Sequence, residues 1–136
     1  MNREAIWIPI ESQELPVDLV TFHLESGSIN STVRQQQIKE IISQGPKGPS
    51  IMCGDTNFIS PEEQFDPQFI DYSPKEPSYD YRINKRILGP WISHLDRVFL
   101  KETSPKGLSI KFSTMIRNDD ISDHFGILFS LEFPRD

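Results

Sequence analysis

The amino-terminal third of the chain alternates between strand-like and helix-like patterns. Ala5 to Ile10 (AIWIPI) is a short apolar run that reads as a strand, with Pro9 marking an edge or an irregularity. Val17 to Leu24 (VDLVTFHL) alternates and is rich in β-branched residues, which predicts a second strand antiparallel to the first. GSINS breaks it. Ser31 can then cap a helix over 32–44, with Val33, Ile38, Ile41 and Ile42 mostly on one side. GPKGP stops the helix, and SIMC (Ser50 to Cys53) has the continuous apolar character of an inner strand. From Phe58 to Pro90 the regular pattern lapses. One short helix after Pro61 is the only candidate element there, and Phe65, Phe69, Tyr72, Tyr79 and Tyr81 can pack this region down or line a groove. Three strands follow: His94 to Leu100, Leu108 to Ile116, and Phe125 to Phe133. In the last, Phe125, Ile127, Phe129, Leu131 and Phe133 share one face. The order β, β, α, β, long loop, β, β, β predicts an α/β sandwich.

Bulk properties narrow this picture only a little. A chain of 136 residues has one-domain length, and 11 prolines fit long irregular connections. A net charge of −6 supplies no global attraction to nucleic acid, although a local basic patch or a metal ion changes the field at a site. Cys53 is the single cysteine, so no disulfide forms within the chain, and a reducing intracellular setting, nuclear or cytoplasmic, is expected. No apolar run is long enough to span a membrane, and Met1 opens no signal-peptide pattern.

The chemistry is concentrated at strand ends. His23 closes one strand; Asp55 and Asn57 follow IMCG; Asp96 lies in LDRVFL; Asp123 and His124 precede FGILF. Each has an ordinary reading. Asp55 and Asn57 are common turn formers, and Asp123–His124 fits a cap or turn. His23 fits a hydrogen-bonded histidine. Asp96 needs a partner, which Arg97 or a backbone donor could supply. Their joint occurrence, each at a strand boundary, points to convergence at one edge of a sandwich.

In that order, HLES, GDTN, LDRVF and SDHFG resemble the endonuclease/exonuclease/phosphatase superfamily, the DNase I-like metal-dependent phosphodiesterases. The likeness runs from about Val17 to Phe133. It is strongest toward the 5′-tyrosyl-DNA phosphodiesterases, through HLES, the following Arg34 and Gln37, the Thr of GDTN, and LDRVFL. The resemblance implies a four-layer α/β/β/α sandwich and Mg²⁺-dependent hydrolysis of phosphodiester bonds, with Mn²⁺ as a substitute. The implied substrate is a DNA end blocked by a 5′-phosphotyrosyl adduct. It implies that Asp55 orients or deprotonates the attacking water and that Asn57 holds the scissile phosphate or the water. His124 and His23 would contact phosphate oxygens, with Asp96 as the carboxylate partner of His124. Asp123 would stand on the metal side, and Arg34 at the substrate. These residue types suit phosphoryl chemistry, which needs positioning and neutralised oxygens, and a hard cation, which takes oxygen ligands.

The resemblance covers the carboxy-terminal half of such a domain. The superfamily's opening Asn and its Gln-Glu motif, whose Glu is the principal metal ligand, have no match. Gln13–Glu14 sits too close to His23 and reads as a solvated turn. The chain is therefore expected to be a partial domain over 1–136, with the amino-terminal half absent. An apolar face including Phe125, Ile127, Phe129 and Leu131 would then be left open, to be covered by a separate half-domain or by self-association. Two other readings stay open. One is a non-catalytic module that binds nucleic acid or protein. The other is a different branch: a nuclease, or a lipid or inositol phosphate phosphodiesterase. Lys85, Arg86, Lys101, Lys106, Lys111 and Arg117 form a basic track or a plain solvated surface, and Tyr81 and Trp91 stack on a ligand or pack. Three histidines without regular spacing do not make a zinc site.

Overall fold

The computed structural model describes residues 3–11, 16–45, 47–101, 108–117 and 120–133; Gln13, Glu14 and Lys106 fall outside these. Among the described residues, nine strands and one α-helix follow in chain order: β1 (Ala5–Ile10), β2 (Val17–His23), α1 (Ser31–Gln44), β3 (Ser50–Asp55), β4 (Phe69–Asp71), β5 (Tyr79–Asp80), β6 (Ile92–Ser93), β7 (Asp96–Lys101), β8 (Ser109–Ile116) and β9 (Gly126–Glu132). A five-stranded sheet has the order β1-β2-β3-β7-β4, so the SIMC strand lies at its centre, as its unbroken apolar run predicts. β1 pairs antiparallel with β2, whereas β2 and β3 are parallel, with α1 in the connection between them. β8 and β9 form a separate antiparallel hairpin.

Alternation along the strands gives the sheet two apolar faces. On one, Val20, Phe22, Leu24, Met52 and Phe99 pack with Ile38 of α1 and with Phe58 and Phe69. Phe65 stacks on Phe99 with ring centroids 4.1 Å apart, which fixes the long 58–68 connection against the sheet. On the other face, Val17, Ile51, Val98 and Leu100 meet Leu108 and Ile110 of the hairpin, joined by Ile127, Phe129, Leu131 and Phe133. Each such fully buried side chain contributes about 1.5–3 kcal/mol through removal from water.

This packing corrects three expectations. The hairpin lays Ile127, Phe129 and Leu131 against the sheet, and Phe125 is buried, so that face is not left open. What remains uncovered is the row Ile6 and Ile8 of β1, 57% and 44% exposed, on the hairpin side of the sheet beyond the hairpin's reach. The region 58–90 contains turns and the short strands β4 and β5, with no helix after Pro61. Ser31 is the first helical residue and not a side-chain cap: a 3-10 turn over Ser28–Asn30 leads directly into α1. Among the described residues the layers are helix, sheet and hairpin. No helix there is long and apolar enough to cross a membrane.

Candidate active site

Strand register brings three of the expected residues into one transverse row. His23, the last residue of β2, pairs with Asp55, the last of β3, and Asp55 pairs with Asp96, the first of β7. Cross-strand partners share a face. Here it is the face carrying Val17, Ile51, Val98 and the hairpin. His124, two residues before β9, reaches back to the row, with its Nδ1 2.7 Å from Asp96 Oδ2.

The His124–Asp96 pair is half-buried and charge-assisted. The Asp96 hydrogen bond raises the imidazole's pKa above its usual value and outweighs burial, which opposes it. Tyr79 presents its ring to His124 edge-on at 5.2 Å. Arg97 does not partner Asp96: it turns to Asp71, with Nη1 2.8 Å from Oδ2. Asp55 is held above the ordinary carboxylate range, chiefly by burial and then by the neighbouring Asp96 charge; the Asn57 amide works against both. That amide donates to Asp55 Oδ1 at 2.8 Å.

Asn57 adopts φ 50°, a left-handed conformation that Asn tolerates better than most residues. Its Nδ2 donates to Leu24 O at 3.0 Å and to Asp55 Oδ2 at 3.2 Å. Both amide hydrogens are thus engaged, which leaves Oδ1 as an acceptor. In this arrangement Asn57 can accept from a water but has no hydrogen left for a phosphate oxygen. The His23 Nε2 lies 3.2 Å from Asp55 Oδ2 and 3.0 Å from Arg3 Nη1. One ring nitrogen serves only one of these at a time, so Arg3 and Asp55 compete for it.

Arg34 is not in the row. Its side chain has no exposure, and its guanidinium grips the Glu63 carboxylate through Nε at 2.6 Å and Nη2 at 2.8 Å. Nη1 donates to the carbonyls of Glu25 and Gly27. Glu63 also accepts from the backbone amides of Ile59 and Ser60. The expected substrate contact is therefore an internal brace, tying the segment after His23 to the segment after Asp55. Asp123 is exposed and adjoins His124, raising its pKa through space.

The oxygen donors are of the kind a hard cation takes. Among the described residues, however, no three His, Cys, Asp or Glu side chains converge closely enough to hold a metal ion. The residues present do not by themselves form a metal centre.

The fold has counterparts among solved structures. Danio rerio TDP2 complexed with single-strand DNA product superposes with a TM-score of 0.75 at 22% identity, over 97% of this chain and 62% of that one. The inositol polyphosphate 5-phosphatase domain of SPsynaptojanin, in complex with inositol (1,4)-bisphosphate and calcium, gives 0.73 at 16% identity, over 96% and 50%. An endonuclease/exonuclease/phosphatase from Bacteroides vulgatus gives 0.71 at 17%, over 97% and 56%. The chain has the DNase I-like fold of the endonuclease/exonuclease/phosphatase proteins. It spans between half and 62% of the length of these three DNase I-like chains. No protein-family profile and no curated protein matches it.

Arg3, Glu63 and Ser78 shape this site without any motif in the sequence to mark them, whereas Tyr79, one of the aromatics able to line a groove, does stand against His124. Ser78 lies in EPSYDY between Pro77 and Tyr79, where nothing in the pattern separates a structural loop from a site wall.

Proposed function

We propose that the chain is the carboxy-terminal part of a divalent-cation-dependent phosphodiesterase, of 5′-tyrosyl-DNA phosphodiesterase type. The observation that carries this reading is the row His23–Asp55–Asp96 with His124 bonded to its end. It combines a carboxylate able to take a proton from water with an imidazole that its hydrogen bond to Asp96 draws toward the protonated form.

In this reading a phosphodiester lies across the row. Asp55 and the free Oδ1 of Asn57 orient the attacking water, and Asp55 accepts its proton. His124, bonded to Asp96 and drawn by it toward the protonated form, neutralises the phosphate oxygens as charge builds up in the transition state. His23, released from Arg3, supplies a second phosphate contact. A bound divalent cation would act as Lewis acid, and Asp123 is the member of this chain assigned to its side. Its remaining ligands, and the rest of the fold, would come from residues beyond those described, supplied by a further half-domain or a second copy.

Two features favour a DNA end as substrate. Tyr81 and Trp91 are 42% and 63% exposed, with the Tyr81 amide bonded to the Trp91 carbonyl. Exposed Lys85 shares their segment with Arg86 and with Arg82, whose guanidinium pairs with Asp80, and Asn84 ties it to the loop before His124 by a 2.9 Å bond to Ser122 O. Aromatic faces among cations suit an unpaired strand.

A substrate panel tests the reading. The assembled protein with Mg²⁺ is expected to release tyrosine from a 5′-phosphotyrosyl oligonucleotide in preference to cleaving plain single-stranded DNA or an inositol polyphosphate, and EDTA is expected to abolish turnover. A reversed preference would assign the site to another branch. The rival reading is a non-catalytic nucleic-acid or protein module. Cation-independent binding that survives Asp55→Ala, with no turnover, would establish that rival.

A further inference from the structure

We infer that Thr56 and Ser78 are positioning residues that grip one peptide group, Leu95–Asp96, from its two ends and so hold the Asp55, Asp96 and His124 segments together. As a statement about catalysis this rests on the hydrolytic reading above; as a statement about geometry it does not.

The regular ladders stop where the site begins. β3 ends at Asp55, β7 starts at Asp96 and β9 starts at Gly126, so the site-bearing residues sit at the ends of their strands or just past them. Buried side-chain hydroxyls take over from the ladder. The Leu95 carbonyl accepts two bonds from Thr56, from its amide at 2.8 Å and its hydroxyl at 2.7 Å. On the other side of the same peptide, the Asp96 amide donates to the Ser78 hydroxyl at 2.9 Å, and the Leu95 amide donates to the same oxygen at 3.1 Å. Ser78 continues the link through its own carbonyl, which accepts from the Phe125 amide at 2.8 Å.

The chain of bonds therefore runs from the residue after Asp55, through the peptide that carries Asp96, to the residue after His124. Thr56 and Ser78 are both wholly buried. A peptide bonded at both its carbonyl and its amide is polarised, and each bond strengthens the other. The consequence falls on the 2.7 Å contact between His124 and Asp96, whose two partners are 28 residues apart and lie on different elements. Displacement of a reacting group by about 1 Å costs on the order of 10²-fold in rate, so a staple of this kind matters to chemistry without touching substrate.

The test reads the His124–Asp96 hydrogen bond directly. Proton NMR of the protein is expected to show a downfield imidazole N–H resonance that Asp96→Asn removes. Ser78→Ala and Thr56→Val should each broaden that resonance away, or speed its exchange by about tenfold, the equivalent of one net hydrogen bond. The amides of Ile51 and Leu100, deep in the ladder, should stay protected. In the hydrolytic assay both variants should lower kcat by about the same factor and leave KM unchanged. An unchanged resonance in the folded variants would overturn the inference. Should either variant fail to fold, amide exchange in the unmodified protein decides: slow exchange of Leu95, Asp96 and Phe125 in one common step supports the staple, and rapid exchange at Asp96 or Phe125 refutes it. Loss of the resonance in a protein that hydrolyses nothing would uphold the staple and reject the catalytic reading.

Discussion

His124 and Asp55 are both displaced toward their protonated forms, for different reasons. For His124 the cause is a hydrogen bond to Asp96; for Asp55 it is burial. A folded-state pKa raised above the unfolded one adds stability that is complete below the unfolded value and lost as pH rises through the folded value. The His124 contribution is therefore full below its ordinary value of 6.5 and declines above it. Denaturant titrations should show this loss on the alkaline side of that value, and Asp96→Asn should flatten it. The same sign holds for Asp55 from 3.8 upward, so holding it ionised at neutral pH costs stability. Asp55→Asn is expected to raise the thermal midpoint at pH 7 while removing hydrolysis, a trade-off typical of working sites. His23, Asp55, Asp96 and His124 were legible in the sequence because each interrupts or bounds an apolar strand, where a polar residue needs a reason. The bonds of Thr56 and Ser78 were not, since a buried hydroxyl is recognisable only once its partners are known. Arg34, which the resemblance places at the substrate, is instead buried against Glu63, a partner in the patternless loop that periodicity does not reveal.

The elements show how the row is kept in place. The Arg34–Glu63 pair is buried and satisfied, and removing one partner leaves a lone charge inside. Arg34→Met is expected to destabilise by about 3–5 kcal/mol, and Glu63→Gln added to it should recover part of that loss. Denaturant unfolding of the single and double variants measures both. Gly54, just before Asp55, lies against β2: a Cβ there would run into the carbonyl oxygen of Phe22, which is fixed backbone. Gly54→Ala should therefore cost about 1–3 kcal/mol or more through forced separation of β2 and β3, and should disturb the His23–Asp55 pairing. The strands, their faces and the antiparallel β1–β2 pair were readable from periodicity. β4, β5 and β6 have three, two and two residues, too few for a period to register, and the packing of 58–68 depends on Phe65 stacking against a strand more than thirty residues away.

At the scale of the whole molecule, the described residues form one five-stranded sheet and two two-stranded ones, of which the β8-β9 hairpin packs on the large sheet. Ile6 and Ile8 are exposed on the face that the hairpin covers only in part. Ile8→Lys should leave the stability of the chain within about 0.5 kcal/mol, as for a surface change, while blocking its association with a complementing half-domain or a second copy. Sedimentation of the pair against the chain alone measures this. The central proposal is that the row from His23 to His124 serves phosphodiester hydrolysis. The most direct measurement is single-turnover cleavage of a 5′-phosphotyrosyl oligonucleotide by the assembled protein with Mg²⁺, compared with His124→Ala. Measurable release of tyrosine, falling about 10²–10³-fold in the variant, is the expected result. Equal rates in the two proteins, or no cleavage by either, would contradict it.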